Sequence, residues 1–455
     1  MPSRGNEETE GPVLYLLTVL WGKTFREMFL SVCLPSLLAP ENIPIIENKI
    51  ESRLVIVTTE EDWQAMQDHP IFKLLRSHIA PVHIVMENPQ PTDLKMLVMS
   101  AGQKAATEYA FSHGAFGMVL CPDIIYSDGT VATLQHHARV GVDVVFAIGM
   151  RFEQEGVLEE LEQAHLVLPG RPLRISPRDL VALALEHLHS ESKLYEWDSD
   201  HYWRTPVTTI WAVPGSRGFV AHSFSWTPLL VDYAAIKQHA TDVFDHWTMD
   251  ANYIYDNFGK DANVHVVQDS DELMQVSLTS EKVLTYYPLA KHRMQTWPVV
   301  GRVVKSVQLM SFVRSEFTDP LRRKIFVQPV RIHADPINGQ WKQVEARAQA
   351  IVARAIAEPS RAGSAVQAFL STALTISHEL GWHYRYRRFV WQRVKEKIGL
   401  ARSRARWDDG NDWVTPAFGL LNPIWSLRIM LLRVFGAKKS SRASTAVQHT
   451  DTDPR

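Results

Sequence analysis

Along the first third of the chain, short unbroken apolar runs alternate with longer stretches of helical period. The runs are residues 13–20 (VLYLLTVL), 53–58 (RLVIVT), 82–86 (VHIVM), 118–120 and 143–148 (DVVFAI). A continuous apolar run, rather than strict alternation, marks a strand covered on both faces, as in a parallel sheet. Between the first two runs, Phe25, Met28, Phe29, Val32, Cys33 and Leu37 keep the helical period, and Pro40 and Pro44 close that element. Thr59, Glu60, Glu61 and Asp62 open a helix through about residue 75, their charge facing the positive end of the helix dipole. Residues 92–113 read as a long helix with Leu94, Leu97, Val98, Ala101, Ala105 and Tyr109 on one side. Five strand–helix alternations predict an α/β fold over residues 13–151, a mostly parallel sheet flanked by helices, because crossovers between parallel strands are right-handed and cover the sheet.

The stretch from Gly117 to Thr130 is the focus of this half. It runs from apolar residues through Pro122 into Asp123, then to Ser127, Asp128 and Gly129 at the start of a helix. Ser127 or Asp128 is expected to cap that helix. Ligands of open α/β sheets sit outside the carboxyl ends of the strands, so Asp123 and Asp128 are expected at a site.

Beyond Arg151 the pattern changes. Ser176-Pro177-Arg178-Asp179 starts a helix, and residues 208–213 and 218–224 read as a hairpin around Pro214-Gly215. Residues 152–300 read as an α+β segment on the acceptor side of the same domain, and 301–382 as helical. Residues 383–437 form a basic, amphipathic region with interleaved aromatic side chains. Residues 1–12 and 438–455 are polar and read as disordered termini.

A length of 455 residues exceeds one ordinary core. A composition 45% hydrophobic and 22% charged is that of a soluble globular protein. Two cysteines, both in apolar surroundings, exclude a disulfide scaffold or a cysteine-based zinc site. Neither a secretory leader nor an apolar run long enough to span a bilayer is read, so a cytoplasmic location is expected. The basic region 383–437, next to an apolar segment, predicts contact with a membrane surface on the inner face. No recognition module accompanies it, so no nucleic acid is expected. No GxGxxG follows the first strand, and neither a GxxxxGK[ST] nor a GxSxG is present, which disfavours dinucleotide oxidoreductases, P-loop enzymes and α/β serine hydrolases.

A sheet of this order, with Asp123 ending the fourth strand about a hundred residues after the first, resembles the GT-A fold of nucleotide-sugar glycosyltransferases. The resemblance covers about residues 13–279. It implies transfer of a sugar from a nucleotide-diphosphate donor to a glycan or lipid-linked acceptor, in work such as envelope polysaccharide synthesis. It implies a nucleotide across the ends of the first strands and a Mg²⁺ or Mn²⁺ ion on a DxD motif. Asp123-Ile124-Ile125 departs from that motif, leaving Asp128 as the nearest second carboxylate. Asp269-Ser270-Asp271 is a literal DxD and a rival metal site, and His222 or His265 can complete a ligand set.

For the nucleotide, Thr18, Trp21, Gly22, Thr58 and Thr59 are the strand-end candidates. Arg151 and Lys104 are the diphosphate candidates, with Lys95 beside them. Asp250 and Asp198 are candidates for the general base, and Trp197, Trp203 and His222 for binding the acceptor. A nucleotidyltransferase is the alternative enzyme class, although only Trp21-Gly22-Lys23 stands where its glycine-rich loop belongs. The other alternative is a non-catalytic, membrane-associated scaffold.

Overall fold

The structure, a computed structural model, describes residues 11–90, 92–203, 206–284, 298–316 and 320–357. The expected basic region 383–437, most of the terminal segments, and the expected helix continuing to residue 382 lie outside the described residues.

The predicted α/β architecture is present as a seven-stranded sheet flanked by helices. Its strands are β1 (Leu14–Val19), β2 (Arg53–Thr58), β3 (Ala80–Val85), β4 (Phe116–Leu120), β6 (Val144–Ile148), β10 (Trp226–Asp232) and β11 (Val264–Val266). Their spatial order is β11-β6-β10-β4-β1-β2-β3. β10 alone is antiparallel, wedged between β4 and β6. The other six run in one direction.

The unbroken apolar runs have the expected physical cause. All six residues of β1 are buried, with Tyr15, Leu17 and Val19 in the core on one face and Leu14 and Leu16 in the core on the other. Each such side chain contributes about 1.5–3 kcal/mol when fully withdrawn from water. The helix Lys95–Ser112 covers one face closely: a Cβ on Gly102 would lie 2.4 Å from Val19 Cγ1.

Two central strands leave the sheet in the same way. β4 ends at Leu120, and after Cys121-Pro122-Asp123 the chain enters β5 (Ile124–Tyr126). β6 ends at Ile148, and after Gly149-Met150 it enters β7 (Arg151–Glu153). β5 and β7 flank β12 (Gln275–Thr279) in a second, three-stranded sheet. β12 is antiparallel to β5 and parallel to β7, with Ser277 opposite both Ile124 and Arg151.

The third sheet, β13-β9-β8, contains the expected hairpin β8 (Thr208–Ala212) and β9 (Gly218–Ser223), plus β13 (Val330–His333). Helices Pro298–Glu316 and Gly339–Ile356 share its separate core with Trp197, Tyr202, Trp211, Phe326 and Trp341. The expected segment 152–300 therefore divides. β10 and β11 join the large sheet, while β8 and β9 pack with helices beyond residue 298. Gly218 permits this packing, since a Cβ there would meet the Ile332 carbonyl oxygen at 2.5 Å and the Trp341 ring at 2.6 Å.

Some expected elements change shape. The first helix contains a π-helical turn, Phe29–Cys33, between Lys23–Met28 and Leu34–Leu37. The second breaks into Glu60–Gln67 and Pro70–Arg76, because Pro70 starts a new helix. No described helix is long and apolar enough to cross a membrane.

Candidate functional site

The strand order reverses direction at β1, whose sequential neighbour β2 lies on one side and β4 on the other. Crevices at the carboxyl ends of such strands are where open α/β sheets take ligands. Asp123 stands there, three residues past the end of β4. Its carbonyl accepts the Leu278 N–H at 2.9 Å, which fixes the backbone against β12. Its carboxylate is half-buried, and among the described residues no side chain donates a hydrogen bond to it. Burial lifts its pKa from 3.8 to about 6, against the lowering pull of its own backbone N–H and of the Arg151 charge. A carboxylate kept short of partners at a strand end is costly to maintain, which makes Asp123 a candidate for a functional group.

Arg151 begins β7 on the far side of β12 from β5, so its backbone lies about 10 Å from Ile124, two strand spacings away. Its side chain is held by Glu191, 2.9 Å from Nε, and by Thr279 Oγ1, to which Nη1 donates at 3.3 Å. Tyr195 donates to Glu191 at 3.1 Å, and Ser192 Oγ donates to the Arg151 carbonyl at 2.8 Å. The guanidinium is thus oriented while its side chain stays 39% exposed. An oriented guanidinium matches phosphate oxygens in a bidentate fashion.

The loops after β1 and β2 are joined by Asp62. Its buried carboxylate accepts from Gly22 N–H at 2.7 Å, Arg26 Nη1 at 2.5 Å and Thr59 Oγ1 at 2.9 Å. Thr59 is the N-cap of the helix Glu60–Gln67, so its hydroxyl is engaged and cannot serve a ribose. Thr18 and Thr58 are corrected too: both are fully buried within their strands, and neither hydroxyl has a partner among the described residues. Trp21 is half-buried at the mouth and Gly22 is exposed with φ 78°, so these two keep their place at the strand end. Lys104 pairs with Asp245 at 3.7 Å on the surface of its helix.

Asp128 is not a second ligand beside Asp123. Its Oδ1 accepts the Glu41 N–H at 2.8 Å and its Oδ2 accepts from Arg174 Nε at 3.0 Å. Nor does it cap the following helix, whose N-cap is Gly129 at φ 94°, with no side-chain cap bond. The rival pair fares differently. Asp269, Asp271 and His333 form a group that can hold a metal. His333 Nε2 lies 2.8 Å from Asp269 Oδ1, and that bond raises the His333 pKa. Arg178 grips Asp271 through two bonds of 2.6 and 2.8 Å, and Arg331 lies 3.8 Å from Asp269. Two guanidinium charges therefore already oppose the two carboxylates.

The chain matches no protein-family model and no curated protein.

The remaining candidates have the following contacts. Asp250 is a helix N-cap, accepting from Asn252 and Tyr253 N–H, and pairs with Arg322 at 3.1 Å, so it is not a free base. Asp198 forms a bidentate pair with Arg347 at 2.6 and 2.9 Å on the outside of the third sheet's core. Trp197 is inside that core, and Trp203 packs partly buried against the main one. His222 is fully buried with Nδ1 2.9 Å from the Phe326 carbonyl, and burial drops its pKa to about 4. It can reach no acceptor. His265 lies on the edge strand β11 and bonds Glu272, so it does not join Asp123.

Sequence reasoning missed Asp62, Glu191 and Thr279. Asp62 carried a signal, three residues after Thr59 in the capping-box arrangement, but it read as a dipole charge alone.

Proposed function

We propose that the protein is a glycosyltransferase of GT-A type, moving a sugar from a nucleotide-diphosphate donor to a glycan or lipid-linked acceptor. The observation that carries the reading is Asp123, a carboxylate without a side-chain hydrogen-bond donor among the described residues at the switch point of the sheet, with the oriented Arg151 two strand spacings away across β12. An antiparallel strand, β10, inside an otherwise parallel sheet, and the small sheet β5-β12-β7 beside Asp123, are compatible with this reading.

The roles follow from charge. The leaving nucleoside diphosphate gathers negative charge, and a fixed cation lowers the barrier by meeting that charge where it develops. Arg151 does so through its guanidinium, held by Glu191 and Thr279. The indole of Trp21 offers a face for the base, and the Gly22 turn, tied down by Asp62, leaves room beside it, since a Cβ there would meet nothing within 4 Å.

A divalent cation fits Asp123, whose carboxylate charge lacks side-chain donors. Mg²⁺ or Mn²⁺ keeps several waters and takes phosphate oxygens, so one carboxylate suffices. Asp123 would hold it, and it would supply charge against the diphosphate. The basic region 383–437 would bring the enzyme to an anionic membrane surface on the cytoplasmic face, next to a lipid-linked acceptor.

The test is calorimetric titration of UDP and GDP into the full chain, with and without Mn²⁺, followed by Asp123→Asn. The reading expects binding that Mn²⁺ strengthens and that Asp123→Asn weakens. No binding of either nucleotide, or of their sugars, at any metal concentration sinks it. Tight binding of nucleoside triphosphates with none of nucleotide sugars moves the assignment to nucleotidyl transfer.

A further inference from the structure

His137, His265 and Glu272 converge from three separate elements. His137 is in the last turn of the helix Thr130–Arg139, His265 is on the edge strand β11, and Glu272 is in the turn between β11 and β12. Both histidine Nε2 atoms lie 2.7 Å from the same atom, Glu272 Oε1. The two rings stack with centroids 4.0 Å apart. We propose that these three side chains bind one divalent transition-metal ion of the Zn²⁺ class, with water completing its shell.

Four observations carry the assignment. The donor set is two imidazoles and one carboxylate, which suits Zn²⁺, Co²⁺ or Ni²⁺ better than the oxygen-seeking Mg²⁺. The three ligand atoms lie within 4.8 Å of one another, brought together from a helix, an edge strand and a turn. A tetrahedral ion with bonds of about 2.0–2.2 Å sets its ligand atoms about 3.3–3.6 Å apart. The two histidine–Glu272 distances of 2.7 Å therefore need to open by about 0.6–0.9 Å, within side-chain rotation. Finally, the charged groups acting on Glu272 are the two histidines themselves, and among the described residues no arginine or lysine pairs with its carboxylate. The Asp269–Asp271–His333 group differs on this last count, since Arg178 and Arg331 already oppose its charges.

Metal ligation requires each ring to present a bare Nε2, keeping its proton on Nδ1. The side chains of His137 and His265 are 12% and 32% exposed, so an ion reaches them from solvent. The site would pin the end of one helix to the outermost strand of the large sheet and to the turn that leads into β12, the strand that holds Asp123. It does not depend on the nucleotide reading.

The test uses the untagged full chain, stripped with chelator and titrated with Co²⁺, whose visible absorption reports a low-coordinate nitrogen-and-oxygen site. One equivalent is expected to bind and to be displaced by Zn²⁺. Loss of an outer-shell partner weakens metal sites 10–100-fold, so removal of a direct ligand in His137→Gln, His265→Gln or Glu272→Gln is expected to weaken Co²⁺ by at least about 100-fold. Asp269→Asn is expected to leave it unchanged. As a folding control, Zn²⁺ is expected to raise the melting temperature of the wild type but not of His265→Gln, whose metal-free unfolding should stay cooperative although it starts lower for want of the Glu272 hydrogen bond. Absence of a Co²⁺ spectrum in the wild type overturns the proposal. So does a spectrum that survives His137→Gln, or one that Asp269→Asn abolishes.

Discussion

Asp123→Asn should make the ligand-free protein more stable at neutral pH, and the gain can be worked from its surroundings. Burial raises the Asp123 pKa from 3.8 to about 6. A displacement of about two pKa units corresponds to about 3 kcal/mol. The carboxylate is only half-buried, and water at the mouth of the cleft screens part of this, leaving about 1.5–3 kcal/mol. The sign follows from linkage. Below about pH 4 the group is protonated in both states and costs nothing. Between about pH 4 and 6 the unfolded chain ionises first, so the wild type loses stability as pH rises, and above about pH 6 the loss is constant. Asparagine keeps the shape and carries no charge. Urea unfolding of both proteins from acid to neutral pH isolates this term, because every other titrating group cancels in the difference. The variant should draw level with the wild type near pH 4 and exceed it by about 1.5–3 kcal/mol at neutral pH. A flat difference across that range, or a variant less stable than the wild type at neutral pH, would refute the argument by showing that the carboxylate is satisfied within the protein.

Three further outcomes are expected. Asp62→Ala strands the Gly22 N–H and Arg26 and should cost about 3–5 kcal/mol in the same assay; a cost below about 1 kcal/mol would mean that the two loops are not held through this carboxylate. Gly218→Ala drives a Cβ against the Ile332 carbonyl and Trp341, and should destabilise by about 1–3 kcal/mol, with no loss expected only if β13 can move away. Glu272 is pushed up by burial but pulled down more strongly by the hydrogen bonds from His137 and His265, to a pKa of about 2. Its stabilising contribution should therefore be complete above about pH 4.5 and vanish as pH falls toward about 2, so the difference between wild type and Glu272→Gln should shrink over that window; a difference that holds constant would contradict the two hydrogen bonds.

The parallel half of the fold was legible because strands covered on both faces must be apolar throughout, and β2 matches its predicted run residue for residue. That same rule hid the error at Thr18 and Thr58. A threonine near a strand end reads as a ligand-facing hydroxyl, yet both strands run deep enough to bury it. The small sheet escaped notice because β5 and β7 have three residues each, too few to show a period, and their partner β12 comes more than a hundred residues later. Nothing local could place β10 antiparallel between β4 and β6. Asp128 looked like a cap or a ligand because both sit at this point of a βα unit. Gly129 took the cap position with its positive φ, and Arg174 and the Glu41 amide, distant in sequence, took the carboxylate. Asp250 and Asp198 failed for a similar reason, since Arg322 and Arg347 come from helices far along the chain. Asp123 and Arg151 were singled out by strand-end position, and that position is what the structure shows: each follows closely on the end of a strand of the large sheet.

The most direct measurement is a crystal structure of the full chain with UDP and Mn²⁺, then with GDP. The account predicts the nucleoside beside Trp21 and Gly22 at the end of β1, and the diphosphate between the Asp123 carboxylate and the Arg151 guanidinium. A nucleotide bound elsewhere, or a diphosphate that touches neither Asp123 nor Arg151, would contradict it.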